Sequence, residues 1–558
     1  MDKIIECVPN FSEGRDRSVI DAIGKSISSV PGAFLLDTDP GEATNRTVVT
    51  FVGTPEGVKE AAFQAIRTAS ELIDMQHHTG AHPRMGATDV CPFVPVRGVT
   101  MDDCVAIARE VGERVAGELG IPVYLYEYAA TRPERKNLAN IRQGEYEGLR
   151  EKLQDPEWRP DFGEPVFNAR SGATVMGARQ FLIAYNVNLN TRDRKMASDI
   201  ALDIREQGRA KRDSEGKIVR DSQGNIIRVP GRLKECKAVG WVIEEYGKAQ
   251  VSINLTNYRV TPVHTAFETV REEARKRGLR VTGSEIVGLV PLEAMVMAGR
   301  YYLGEQGKTS ALPEKELVRV AVESMGLNDV APFDAEEKVV EYRVAESSPL
   351  TAMSVTGFAD ELSTDSPAPG GGSVSALMGS LGSALVSMVA ALTHGKKSMV
   401  AKQPEMEEIG RKAQDLKDRL VRLVSEDTEA FNAVMDAMKM KRKTDEQKKI
   451  RHDAIQAATR TATQVPLDVG RACLEVLELA REVAREGSPA SVSDAGVASE
   501  AAYAGLRGAR WNVLINLAAI EDDAFRREMA QEIHDMESRG RDLLKEVTAT
   551  VESVIGEM

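Results

Sequence analysis

The sequence predicts two α+β subdomains of ferredoxin-like βαββαβ order, followed by an all-α helical bundle. Three observations predict it. Strand and helix signals alternate through the first 130 residues. The same order returns after residue 180. Beyond Ser354 almost every segment has helical spacing.

In the first subdomain, residues 1–180, KIIECV reads as a strand and Asp16 to Val30 has helical spacing. AFLLDTD and RTVVTFVG are two β-rich runs separated by the turn GEATN. Pro55 to Met75 is a helix, DVCPFVPV a strand, Asp102 to Leu119 a helix and PVYLYEY a strand. The second subdomain, residues 181–330, begins with the strand FLIAYNVNL and a helix from Arg194 to Gln207. ECKAVGWVIEEY and KAQVSINLT form a hairpin around a glycine. Pro262 to Arg277 is a helix with proline at its start, and LRVTGSEIVGL closes the unit. A cleft between two such sheets is a natural ligand site. The insert KRDSEGKIVRDSQGNIIRVPGR, with its EG and QGN turns, predicts a protruding hairpin.

Residues 331–354 are mixed and charged and read as a linker. The bundle follows at 355–558, with helices over Pro404 to Met440, Asp445 to Thr463, Leu467 to Glu486 and Ser493 to Met558. Val374 to His394 is about long enough to cross a bilayer. Its five serines and threonines and two glycines predict instead a buried helix of a soluble bundle.

The totals bound the function. The chain has 558 residues, too many for one core, and carries a net charge of −13. Phosphates would be repelled by that charge, so neither nucleic acid nor an anionic membrane is an expected partner. Five scattered cysteines without a CxxC fit a reducing, cytoplasmic setting. The start MDKIIECVPNF lacks the basic and apolar regions of a signal peptide.

MQHHTGAHPRMGATDV, Met75 to Val90, holds three of the seven histidines. His78 and His82 stand four apart, which suits metal ligands on a helix. Gly80 interrupts them, however, and Pro83 disfavours helical geometry at His82. With no HExxH and no cysteine pair, no metal is expected. Proton transfer fits an imidazole better, with Arg84 available for a substrate carboxylate. A plain loop histidine bonded to backbone fits the spacing equally well.

In the helical half, APGGGS, Ala368 to Ser373, precedes the apolar helix. It can present backbone N–H groups to an anion, or simply cap the helix through Ser373. Leu416, Leu420, Leu423, Phe431 and Val434 form one stripe, and Asp427 falls on it. A carboxylate facing a bundle interior is either tied to a neighbouring helix or set aside for chemistry, with its pKa raised by desolvation. Asn512 and Asn516 in WNVLIN share one helix face, open to a ligand or to a neighbouring helix.

ECVPNFSEG, TNRTVVTFVG and HPRMGATDVCPFVPVRG resemble the formiminotransferase domain of the formiminotransferase-cyclodeaminase family. The resemblance runs on through DFG, GATVMGAR, IREQGR, PGRLK and VGLVPL. TDSPAPGGGSVSALMGSLGSALVSMV, EDTEAF and WNVLINL then resemble its cyclodeaminase domain, so essentially the whole chain is covered. The resemblance implies transfer of a formimino group from N-formimino-L-glutamate to tetrahydrofolate, a co-substrate expected to be polyglutamylated. It implies cyclisation of 5-formimino-tetrahydrofolate to 5,10-methenyl-tetrahydrofolate, with release of ammonia, in the second domain. The family's transferase histidine falls on His82 and its cyclodeaminase aspartate on Asp427.

The family's folate-contacting loop falls on Gly163, Glu164, Pro165, Val166, Phe167, Asn168, Ala169, Arg170, Ser171 and Gly172. A second contact falls on Gly231, Arg232 and Leu233. Phe167 can pack on a flat ring and Arg232 can pair with a carboxylate. Arg170 departs from the family pattern and is expected to add a charge near the ligand. The resemblance also implies a homo-oligomer. Two alternatives stand: an active transferase whose helical part is only an oligomerisation or folate-binding scaffold, and a folate-binding or structural protein without turnover.

Overall fold

A computed structural model describes residues 3–42, 44–80, 82–244, 246–344 and 349–557. The chain divides into two units, Met1–Ala298 with Val322–Glu346, and Gly299–Ala321 with Ser347–Met558.

The first unit opens with β1 (Ile4–Cys7), β2 (Asn10–Phe11), α1 (Arg17–Ser28), β3 (Ala33–Gly41), β4 (Arg46–Gly53), α2 (Pro55–Leu72) and β5 (Thr88–Arg97). This is the expected βαββαβ order. β1 and β2 are two halves of one interrupted strand between β4 and β5, antiparallel to both. Local chemistry sets the helix starts. Asp16 caps α1, and Thr54 caps α2 with Pro55 beginning it.

The sheet then grows beyond the expected unit. A capping box of Thr100 and Asp103 starts α3 (Met101–Leu119), which leads to β6 (Val123–Glu127). After two short helices, α4 (Leu138–Ile141) and α5 (Leu149–Lys152), comes β7 (Thr174–Ala178). It inserts between β5 and β6, parallel to both. One face of the sheet packs Ile5, Cys7, Phe51 and Phe93 against Ile23, Phe63, Ile66 and Val111 of the three helices. The other packs Tyr124, Tyr126 and Val175 against Ile141, Leu149 and Leu153.

The second sheet is built from β8 (Ile183–Leu189), α6 (Arg194–Ile204), β9 (Arg209–Ala210), β10 (Arg228–Val229), β11 (Cys236–Ile243), β12 (Lys248–Leu255), α7 (Val263–Lys276) and β13 (Val281–Val287). Four strands lie in the order β11-β12-β8-β13, antiparallel throughout, as a split βαβ unit requires. The insert is a β9–β10 pair carrying two tandem turns. Asp213 caps one by accepting from the Lys217 N–H, and Asp221 caps the other by accepting from the Asn225 N–H. Three passes of the insert close on one another: Lys211 donates to Ile227, Val219 to Lys211 and Ile227 to Val219.

α8 (Leu292–Glu305) and α9 (Glu314–Ser324) follow. Residues 299–321, read from the sequence as part of the second subdomain, group with the helical unit. The stretch read as a linker is folded in its first half. It forms α10 (Ala335–Lys338) and α11 (Val340–Arg343), buries Val339 and Val340, and bridges Val339 to Val290. Its Glu341 accepts from the Leu292 N–H at 2.7 Å. Burial pushes the Glu6 carboxyl up to about 7; Arg179 opposes that shift and Glu341 adds to it.

The second unit holds α12 (Val355–Leu362), α13 (Gly371–His394), α14 (Gln403–Lys439), α15 (Asp445–Glu486), α16 (Val492–Leu517) and α17 (Asp523–Glu557). α13 is long and apolar enough to cross a membrane by length and composition. Here it packs against α14, α15 and α16. Small residues such as Ala376, Gly379 and Gly382 line its buried side, and Ser383 donates to the Ala413 carbonyl of α14. Two helix boundaries differ from expectation. α15 runs unbroken through the buried Pro466, where packing outweighs one lost backbone bond. The last expected helix is two, separated at 518–522. Glu407 of α14 accepts from Thr309 Oγ1 at 2.6 Å and from the Ser310 N–H at 3.1 Å.

Candidate functional site

His82 lies on the loop between α2 and β5. That loop is pinned from several sides. Ser12 donates through Oγ to the Gly86 carbonyl at 2.7 Å and through its N–H to Ala87. Ala87 donates to the Ser171 carbonyl and Ala173 to that of Met85. Gly86 permits this close approach, since a Cβ there would collide with the Ser171 and Ala173 carbonyls. The Met85 N–H donates to Asp89 Oδ1 at 2.9 Å, and Asp89, itself buried, also pairs with Arg142.

The imidazole is half-buried and faces Arg46, at the start of β4. Arg46 Nη1 lies 2.9 Å from His82 Nε2. A guanidinium only donates, so Nε2 accepts and the ring is neutral with its proton on Nδ1. Nδ1 is buried without a hydrogen-bond partner. Burial lowers the His82 pKa below its ordinary value. Arg46 and Arg142 lower it further, against Asp89 and the Pro83 carbonyl.

His78 has a different task. Its Nδ1 accepts from Arg84 Nε at 3.2 Å and its Nε2 donates to the Asn45 carbonyl at 2.9 Å. Arg84 is not open to a ligand carboxylate, because Glu145 and Glu147 already pair with it at 3.1 and 2.6 Å. Asn45 has a left-handed backbone, φ 48°, and donates to the Thr79 carbonyl. This chain of contacts fixes the turn that delivers Arg46. A pocket of about 420 Å³, lined by His78, Thr79, Gly80, Arg84, Gly144, Glu145 and Glu147, opens beside the loop. Another of about 650 Å³ joins Glu127 at the end of β6 to Arg205 after α6, Lys237 and Val239 of β11 and Thr256 after β12.

The structure brings the far end of the 163–172 loop to the His82 loop, through Ser171 on Ala87 and through the Met75 N–H on the Arg170 carbonyl. Phe167 is already packed, 5.4 Å from the Tyr146 ring with the Arg150 guanidinium 4.7 Å over it. Two of the expected charged contacts have partners within the protein. Arg170, expected to add a charge near the ligand, is bonded to α2 instead. Its guanidinium turns to the Ser70 and Glu71 carbonyls at the C-terminal end of α2, where cations are favoured. Arg232 pairs with Glu272 and Glu273 of α7 at 2.6 and 2.9 Å, so its charge is already matched. Gly231 and Leu233 lie beside it against the end of α6. Leu233 donates to the Ile204 carbonyl and is buried, and a Cβ on Gly231 would strike the Arg205 carbonyl.

In the second unit Asp427 sits where the buried stripe of α14 runs out: Leu416, Leu420 and Leu423 are buried, Phe431 and Val434 only half-buried. Its Oδ2 accepts from Ser373 Oγ at 3.0 Å, and the Ser373 backbone N–H also reaches the carboxylate. Gly372 makes room, for a Cβ there would run into the Asp427 carboxylate. Burial raises the Asp427 pKa, and the two Ser373 donors oppose it. The glycine-rich start of α13 therefore meets an acid of this chain. Asn512 donates to the Gly508 carbonyl of its own helix at 2.8 Å and lies near Gly371. Asn516 crosses to the Ala462 carbonyl of α15 at 2.6 Å, which makes it a structural tie.

Arg46 escaped sequence reasoning because its partner lies 36 positions away. The one local signal is an arginine opening a strand directly after an Asn in a turn. Among the described residues no group of three or more His, Cys, Asp or Glu is placed to hold a metal ion.

Comparison with known proteins covers both units. Residues 4–179 match the model of the formiminotransferase domain, N-terminal subdomain. Residues 184–345 match that of the formiminotransferase domain, and 354–535 that of formiminotransferase-cyclodeaminase. Formimidoyltransferase-cyclodeaminase of Mus musculus is 45% identical over 539 residues, 96% of each chain. Glutamate formimidoyltransferase of Streptococcus pyogenes serotype M1 is 46% identical over 54% of this chain and 94% of its own. Methenyltetrahydrofolate cyclohydrolase of Methylorubrum extorquens is 41% identical over 36% of this chain and 95% of its own.

Proposed function

The chain belongs to the formimidoyltransferase-cyclodeaminase family, and from that premise we propose which of its residues perform the two reactions. It is a bifunctional folate enzyme. It transfers the formimino group of N-formimino-L-glutamate to tetrahydrofolate, then cyclises 5-formimino-tetrahydrofolate to 5,10-methenyl-tetrahydrofolate and releases ammonia.

In the transfer, folate N5 attacks the formimino carbon, loses a proton, and the glutamate nitrogen must gain one as its bond breaks. His82 carries that proton. The supporting observation is its neutral imidazole, with Nε2 as acceptor and a pKa lowered by burial. Residues 163–172 and 231–233 frame the folate, the loop through its backbone rather than through the Arg170 guanidinium, which is turned to α2. In the cyclodeamination the folate N10 closes on the same carbon and ammonia departs. Asp427 moves the proton there. Its raised pKa supports that task.

Two further parts of the reading concern setting. A homo-oligomer is supported by an exposed apolar stripe on α13, Leu381, Met388 and Leu392, together with Trp511 and Ile515 on α16. A cytoplasmic location is supported by five free, buried cysteines. The deciding experiment follows ammonia and methenyl-folate absorbance with purified enzyme supplied with N-formimino-L-glutamate and tetrahydrofolate. Ammonia and absorbance rising together support the reading. Formimino transfer without either means that the helical unit is only a scaffold.

A further inference from the structure

Arg46 is a half-buried cation without a matching anion among the described residues. Arg142, the other guanidinium near His82, is neutralised by Asp89. Among the described residues no carboxylate is in ion-pair contact with Arg46; Asp39 and Asp89 act on it only from a distance. Its Nε is buried and unpartnered. Burial and Arg142 lower its pKa, as expected of a charge held out of water. Among the described residues its one direct side-chain partner is the neutral ring nitrogen of His82, which the reaction needs free.

The donor substrate carries two carboxylates. Only the α-carboxylate lies next to the nitrogen that leaves. Arg46 Nη1 is one hydrogen bond from His82 Nε2, so a carboxylate seated on Arg46 sets the adjacent substrate nitrogen beside the imidazole. We infer that Arg46 is the receptor for the α-carboxylate of N-formimino-L-glutamate, and that seating this carboxylate draws the guanidinium off His82 Nε2 and frees it for proton transfer. The inference rests on the reading of the first unit as the transferase.

The proton account closes. N5 gives its proton to Nε2 as the N5–C bond forms. Nε2 returns it to the glutamate nitrogen as the C–N bond breaks, and the amine departs neutral. The charged groups facing His82 are Arg46, Arg142 and Asp89, with Asp39 behind Arg46. Pairing Arg46 with a carboxylate removes one of the two cations that hold the imidazole pKa down, so donor binding makes His82 a stronger base.

The test compares N-formimino-L-glutamate with the N-formimino derivative of 4-aminobutyrate, which lacks the α-carboxylate. Arg46→Ala should raise KM for the former by at least about 30-fold, since it removes a partly desolvated charge pair. KM for tetrahydrofolate should change by less than about 3-fold, within ordinary scatter for a site away from the change. The derivative of 4-aminobutyrate should be equally poor with wild type and variant. Cyclodeamination of supplied 5-formimino-tetrahydrofolate should persist and reports that the variant is folded. In histidine-labelled wild-type enzyme, saturating L-glutamate should raise the His82 pKa measured by NMR. Equal losses with both donors, or a His82 titration unmoved by glutamate, would overturn the inference. If the variant does not fold, the wild-type titration alone decides. A wild type that transfers no formimino group would refute the functional reading itself, not this refinement of it.

Discussion

His82 and Asp427 are displaced in opposite directions by one force. Burial disfavours charge, so it lowers the pKa of the imidazole and raises that of the carboxyl. The two surroundings differ in kind. Around His82 the neighbours are ions, Arg46, Arg142 and Asp89, delivered by separate loops and strand ends. Around Asp427 they are neutral donors from one residue, Ser373, at the start of a single helix. A site made of ions is tuned by which of them are paired. A site made at a helix start is tuned by how closely that helix approaches.

Removing each group in turn should have the largest effect. His82→Ala should cost about 10³-fold in transfer and spare cyclodeamination of supplied intermediate; Asp427→Asn should do the reverse. Separate assays of the two reactions check it, and loss of both in a folded variant would show that the sites are not independent. Next in size is Gly372→Ala, whose added methyl must push the Asp427 carboxylate aside. A drop of about 10²-fold in cyclodeamination is expected, with transfer unaltered, because displacement of a reacting group by about 1 Å has that cost.

The pH profiles sharpen the contrast. A lowered histidine pKa keeps His82 in its basic form until the pH falls below about 6.5, the ordinary histidine value, so the acid limb of transfer should lie under it. A raised aspartate pKa puts the matching break for cyclodeamination above about 3.9. Stability should also respond. A carboxyl whose folded pKa is raised costs stability while ionised, and the cost vanishes as the pH falls. Asp427→Asn should therefore match or exceed wild type in thermal unfolding of the helical unit at neutral pH, by up to about 1 kcal/mol. The smallest effect belongs to Arg170→Ala. With its charge spent on the end of α2, KM for tetrahydrofolate should shift by less than about 3-fold, whereas a charge facing the ligand would move it far more.

Both βαββαβ orders and the Asp427 stripe were legible because they rest on local periodicity. β7 was not. TVMGA is five residues, buried throughout, and has no alternation to betray it. Charged residues were legible as charges but not as partners. Arg170, Arg232 and Arg84 each find an acid or a carbonyl of the protein, and only the fold decides that. Arg46 shows the converse: an arginine unremarked in the sequence is left facing the one ring nitrogen that matters. Pro466 misled for a related reason, since a proline stops a helix only where nothing else holds it straight.

The polypeptide changes unit three times, at Gly299, at Val322 and again near Ser347. No single cut separates the two units along their own boundaries. A truncation ending at 330 would carry 299–321 away from the bundle to which it belongs, and a fragment starting at 355 would leave Glu407 without Thr309 and Ser310. Gene fusion in this chain is thus more than two catalysts in tandem: each half has lent the other a piece of its thread.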